Sequence, residues 1–381
     1  MSRKNRRDIF NPNEVGIYHC IQRTVRRAFL CGYDQITGKS FDHRRMWIQE
    51  QMQALCAIFA FDCLSYAIMS NHLHSVLRNR PDILETWSDH DVAVRWWQLT
   101  NSRRDPSVRD DHPTEKQLKS SLEPVRNQQL RARLGSISWF MRYLAEPIAR
   151  TANAEDECTG RFWEGRFKSQ KIVDEQALLA CSVYVDLNPV RAGIAKTVEE
   201  SMFTSAYQRI VALRSTDIKS PQIISNTQHS TAQTSASTRN VDAAYDGHET
   251  LGLVKSRADD WLAPIFVDIS AVAYAGPMPS STPQRASDKG FLTMSPVTYL
   301  ALLRWTAQRI GKDASTEIPS LIAPVLDRNG LTPETWCDLI TRFGKIFKQA
   351  AGTPQALSEE AARRGQRWMQ TNQSPLNNIA C

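Results

Sequence analysis

Asp62-Cys63-Leu64-Ser65-Tyr66-Ala67-Ile68-Met69-Ser70-Asn71-His72-Leu73-His74-Ser75-Val76-Leu77-Arg78 is the stretch on which the fold turns. Residues 62–68 and 72–78 are two short runs suited to strands, joined through Met69-Ser70-Asn71, a tight connection of turn-forming residues. Side chains at i and i+2 of a strand share a face, so His72 and His74 stand side by side while Leu73, Ser75 and Leu77 face the other way. Upstream, residues 16–25 (Gly-Ile-Tyr-His-Cys-Ile-Gln-Arg-Thr-Val) read as another strand. Residues 44–59 place Trp47, Ile48, Met52, Leu55, Ile58 and Phe59 at spacings of three and four, the stripe of a helix that needs a sheet to cover.

Downstream, a second core helix starts at Ser136, with Ile137, Phe140, Met141, Leu144 and Ile148 on one face and Pro147 placed to kink it. Residues 161–173 suit a strand, and Asp174 is a good N-cap for a helix from Glu175 to about Leu187, ended by Pro189 and Gly193. Strand-helix-strand-strand-helix-strand is the ferredoxin-like order, an α+β fold whose antiparallel sheet carries helices on one face; the Glu175 helix is an addition to it. Residues 81–135 read as a charged surface insertion with one helix, Asp89 to Leu99, and a very polar piece around Arg103-Arg104-Asp105 and Asp110-Asp111.

A domain over residues 1–212 is therefore expected. From Ser215 to Asn240 the composition collapses into Ser, Thr, Gln, Asn and Ala, too little apolar surface to order itself, and residues 213–250 read as a disordered linker. A mainly helical domain over 251–381 follows. Ser295-Pro296 starts a helix striped by Leu300, Leu303, Ala307 and Ile310, and Thr332-Pro333-Glu334 starts another striped by Trp336, Leu339, Ile340, Phe343 and Phe347. Its role is written in no motif.

Composition narrows the function classes. The net charge of +7 favours a polyanionic partner without identifying one. No apolar run approaches the roughly 20 residues needed to cross a bilayer, and the basic start (Arg3, Lys4, Arg6, Arg7) lacks the apolar core of a secretory signal, so a cytoplasmic protein without a membrane partner is expected. Eight cysteines without a C-x-x-C pair point to reduced, mostly buried thiols rather than a zinc knuckle or disulfide framework.

Two groups of residues carry chemistry. Paired imidazoles at His72 and His74 form half of a metal site; a hydrogen-bonded pair of surface histidines is the plainer reading of any bare H-x-H. If the Glu175 helix runs on through Asn188, Tyr184 and Asn188 are four apart and lie on one helical face, a phenol above an amide oxygen. Taken alone, Tyr184 is as well read as a core aromatic. Arg161, Arg166 and Lys168 flank Phe162, Trp163 and Phe167, a mixture fit to grip phosphates and stack exposed bases, or an ordinary strand with basic outward residues. His19 and His43 stand alone.

Four blocks together resemble the REP-associated tyrosine transposases, relatives of insertion-sequence enzymes that process single-stranded DNA through an HUH nuclease domain. They are Tyr18-His19-Cys20-Ile21-Gln22-Arg23, Tyr66 through His74, Gly165-Arg166-Phe167-Lys168-Ser169, and Tyr184 through Gly193. The resemblance covers roughly residues 10–200. It implies that His72 and His74 are metal ligands, Asn188 the third, and Tyr184 the nucleophile that cleaves one DNA strand through a 5′-phosphotyrosine. It also implies Mg²⁺ or Mn²⁺ as the metal and single-stranded or hairpin DNA as partner. Arg23, Arg161, Trp163, Arg166, Lys168 and Arg191 are the expected DNA contacts. A homodimer fits the same reading, with the tyrosine acting within its chain or across the pair. Two rival classes remain: a non-catalytic DNA-binding regulator that keeps the fold, and an unrelated metal-dependent hydrolase, for which further ligands at metal spacing are missing.

Overall fold

A computed structural model describes residues 10–25, 31–34, 38–101, 113–217, 257–268, 276–311, 317–369 and 371. The basic residues Arg3, Lys4, Arg6 and Arg7, the polar piece from Arg103 to Asp111 and linker positions 218–250 lie outside the described residues. The first half runs β1 (Gly16–Arg23), α1 (His43–Ile58), β2 (Phe61–Ile68), β3 (His72–Asn79), α2 (Pro81–Thr86), α3 (Asp89–Asn101), α4 (Glu115–Leu122), α5 (Pro124–Leu134), α6 (Ile137–Glu155) and β4 (Lys168–Ile172). Then follow α7 (Glu175–Asp186), α8 (Asn188–Arg191), α9 (Ser205–Asp217), α10 (Pro296–Ile310), α11 (Ala323–Arg328), α12 (Pro333–Ile346), β5 (Ala350–Ala351) and α13 (Pro354–Arg363).

The five strands form one mixed sheet in the order β2-β3-β1-β4-β5, antiparallel except for the β4–β5 pair. Register places His74 opposite Ile21 and Ala67, His72 opposite Arg23, and His19 opposite both Val76 and Gln170. Alternation then sets His19, Arg23, His72, His74, Lys168 and Gln170 on one face.

Both faces are covered, not one as expected. Tyr18, Cys20, Leu73 and Leu77 pack against Ile48, Met52 and Leu55 of α1 and Phe140, Met141 and Leu144 of α6. On the opposite face Val76 and Ile172 meet Leu178, Leu179 and Val183 of α7, backed by α9, α10 and α12. The reason lies in β2, buried at every position: its residues do not alternate polar with apolar, and such a strand needs cover on two sides. The helices beyond residue 250 thus complete the core over the N-terminal sheet rather than enclosing one of their own. Five side chains of α12 are buried (Trp336, Leu339, Ile340, Phe343, Ile346), each contributing about 2 kcal/mol of apolar transfer.

Three further expectations change. Among its described residues the 81–135 insertion holds four helices, not one; α5 buries Leu130 and Leu134, and α4 opens with the Thr114 backbone N–H donating to Gln117 Oε1 at 2.7 Å. The linker's first residues, 213–217, belong to α9. The strand foreseen over 161–173 is confined to β4, because residues 162–164 follow the strand line only through bonds to Arg23 and Val25, and Gly165 to Phe167 bulge away before pairing resumes.

Among the described residues no helix is long and apolar enough to cross a membrane. No disulfide joins the described cysteines, of which Cys20, Cys31, Cys56, Cys63 and Cys181 are buried.

Candidate active site

β3 begins at His72, so the two histidines occupy the sheet's end, on the face covered by α7. Asp174 caps α7 by accepting the Ala177 N–H at 2.8 Å, and from this start the helix carries Tyr184 over the histidines. The Tyr184 ring meets His74 edge-on at 5.7 Å between centroids and His19 at 6.0 Å. A cavity of about 300 Å³ opens here, lined by Arg23, Asn71, His72, His74, Glu164, Arg166, Lys168 and Tyr184 among others.

Hydrogen bonds fix the state of each imidazole. Gln170 Oε1 lies 3.4 Å from His19 Nδ1 and can only accept, so His19 carries its proton there. Its Nε2 is then an acceptor and takes the Nδ1–H of His74 at 2.8 Å. The pairing leaves His74 Nε2 a bare lone pair, buried and without a hydrogen-bond partner. His72 repeats the arrangement, its Nδ1–H donating to Asn71 Oδ1 at 2.6 Å. Burial pushes His19 and His72 down to about 4, with His72 and Arg23 respectively adding like-charge repulsion; Gln170 only partly offsets the fall at His19. Burial also drives His74 well below the ordinary imidazole value, helped by His19, His72 and Arg191. All three rings are therefore neutral near pH 7.

Two neutral imidazoles with Nδ1 anchored and Nε2 free are the donor set a divalent cation takes, and the orphaned His74 Nε2 is otherwise an uncompensated polar atom. The residues present fit such a metal. No three His, Cys, Asp or Glu side chains are assembled for a metal among the described residues, so completion falls to amide oxygens, water or substrate.

The expected site residues divide. Arg23, His72, His74, Arg166, Lys168 and Tyr184 meet at the cavity, and Arg191 joins them with its guanidinium 4.6 Å from the Tyr184 ring centre. Asn188 is not on the cavity lining. α7 ends at Asp186, and Asn188 opens α8 ahead of Pro189, whose missing N–H and ring interrupt an α-helix; the single helix expected to carry both residues is broken at Leu187. Asn188 is buried, with Nδ2 unpartnered. Arg161 and Trp163 line a neighbouring groove of about 950 Å³ that shares Glu164, Gly165 and Arg166 with the cavity. Trp163 is only 9% exposed and its indole N–H donates to Ala145 O at 2.8 Å, so it borders the groove from a buried seat and offers little of its ring to an incoming base.

Three residues of the site were given no part in it by the sequence. His19, which orients His74, pairs diagonally with it across β1 and β3, a relation visible only once register is known. Glu164 lines the cavity and lies 3.9 Å from Arg23. Phe343 of α12 packs on Tyr184 at 5.3 Å and 31°, from a segment no motif connected with the site.

No protein-family model matches the chain, and no curated protein matches it either. Among solved structures, one of a REP-associated tyrosine transposase bound to a REP hairpin is similar at 12% identity and a TM-score of 0.34, over 64% of this chain and 100% of that one. At that TM-score the likeness bears no weight, and the site stands on its own geometry.

Proposed function

We propose that this chain is a metal-dependent single-strand DNA nuclease and strand transferase of the HUH tyrosine transposase kind, acting on single-stranded or hairpin DNA. One observation carries the reading: two imidazoles with free Nε2 lone pairs and a phenol share one cavity rimmed by Arg23, Arg166 and Lys168.

His72 and His74 are the proposed ligands of Mg²⁺ or Mn²⁺, with Asn188, at the start of the short helix that follows Tyr184's own, as the proposed third. When bound, the metal supplies Lewis acidity at the scissile phosphate. Tyr184 Oη forms the new bond to phosphorus as the bond to the 3′ oxygen breaks, and the phenolic proton ends, by way of solvent, on that oxygen. The 5′-phosphotyrosine keeps the phosphodiester energy, so a second 3′-hydroxyl reseals the strand by the reverse attack without ATP. Arg23, Arg166 and Lys168 hold phosphates, and Arg161 in the adjoining groove extends that grip along the strand. Tyr184 stands beside its own chain's histidines, so it acts in cis.

The rival reading, a DNA-binding regulator that keeps the fold, is favoured by one observation, the place of Asn188 off the cavity lining. Incubation with a single-stranded DNA hairpin and Mn²⁺, followed by denaturing electrophoresis, separates the two. A covalent protein–DNA band from the wild type that vanishes in Tyr184→Phe is expected. Binding with no band supports the regulator, and a band that survives the substitution removes Tyr184 from the role of nucleophile.

A further inference from the structure

Gly344 is the third residue from the end of α12. Its backbone does not require glycine: the residue is exposed and is not among those with positive φ. Glycine in a helix is the least favourable residue after proline, so its presence here calls for a reason. The neighbouring atoms supply one. A Cβ built on Gly344 would sit 2.9 Å from Tyr184 Oη, closer than real Cβ atoms come, and 3.6 Å from Tyr184 Cζ, an ordinary contact. The obstacle is the hydroxyl alone.

The same turn of α12 holds the tyrosine at two more points. The Phe343 ring lies 5.3 Å from the Tyr184 ring. Arg191, whose guanidinium sits over that ring at 4.6 Å, donates from Nη2 to Thr341 O at 2.6 Å. With His74 edge-on at 5.7 Å, the phenol is flanked by α12, α8 and β3 and open toward the cavity, so a Cβ at 344 would push the hydroxyl out of its seat in that direction.

We infer that α12 is the wall that positions the nucleophile, and that Gly344 is a positioning residue kept small to seat the Tyr184 hydroxyl. The inference rests on Tyr184 being the nucleophile, and it gives the C-terminal segment a part in the reaction. A side chain at 344 displaces Oη, and misplacing a reacting atom by an ångström costs on the order of 100-fold in rate.

The test is a double-mutant cycle on the full chain: wild type, Gly344→Ala, Tyr184→Phe and both together, each melted thermally without DNA. In the Tyr184→Phe background the hydroxyl is gone, and Gly344→Ala raises the melting temperature by about 1 °C through helix propensity. In the wild-type background that gain disappears or reverses; failure to fold there, with folding in the double variant, is the extreme of the same result. An equal shift in both backgrounds overturns the inference. Single-turnover attachment to a single-stranded DNA hairpin with Mn²⁺ supplies the second readout. Gly344→Ala slows it on the order of 100-fold with an unchanged Kd for the hairpin at fixed salt, and a rate within about twofold of wild type overturns the inference. A wild type that forms no adduct defeats the nucleophile reading by itself, while the melting cycle still judges the wall.

Discussion

A neutral imidazole offers a cation one nitrogen, and whatever binds the other nitrogen decides which. At His74 the decision belongs to His19, which is itself oriented by Gln170. His19→Phe keeps the ring's bulk but removes the acceptor for His74 Nδ1–H, and Mn²⁺ affinity measured by calorimetry is expected to fall about 10–100-fold. Unchanged affinity in a folded variant would take His19 out of the site. The contrast with His72 and His74 tells what single residues disclose. Those two share a strand, so spacing alone puts them on one face, and Tyr184 sits within a recognisable run. His19 is 55 residues from its partner, and Trp163 turned inward because its indole N–H found Ala145 O, which no local pattern encodes.

Among elements, the end of the sheet is clasped by α13. Glu360 accepts from Lys171 Nζ of β4 at 3.0 Å and from Arg363 and Arg364 on its own helix. Burial alone would raise its carboxyl, but these hydrogen bonds outweigh it and hold the group down to about 2 from an ordinary 4.5. A depressed acid lends stability that is fully present above its unfolded value and is lost as pH falls through the folded one. Thermal melting should therefore separate wild type from Glu360→Gln at pH 7, with the gap closing as pH falls from about 4.5 toward 2; a gap constant with pH would show that the carboxylate's charge is irrelevant. Elements with both a stripe and a cap were legible beforehand. α10 and α12 start where Ser295 and Thr332 cap them, and α7 where Asp174 does. The strand over 161–167 was misread because aromatic and basic residues suit a strand and a bulging loop equally; pairing partners decide between the two.

At the scale of the molecule, the C-terminal segment is bound to the sheet through a buried polar knot. Asp62 on β2 is fully buried and accepts from Arg78 Nε at 2.9 Å, Arg80 Nη1 at 2.9 Å and the Ser287 backbone N–H at 3.1 Å, the last from 225 residues away in sequence. Arg78 also donates to Gly290 O, and Arg80 to Ser287 Oγ and Pro277 O. Asp62→Ala leaves the buried Arg78 without a carboxylate, and Arg80 with Asp82 alone, and is expected to cost about 3 kcal/mol in urea unfolding. A cost under about 1 kcal/mol would mean the knot contributes little. Nothing in the sequence announces this contact. Asp62, Arg78 and Arg80 look like surface charges on strand ends, and the stretch between the two halves suggests that they fold apart. The order in which the chain leaves the ribosome gives the position of α12 a temporal meaning. By residue 217 a nascent polypeptide already holds both imidazoles and the phenol, yet the turn from Thr341 to Gly344 has still to be translated, so a half-made copy carries the phenol without the helix that packs against it.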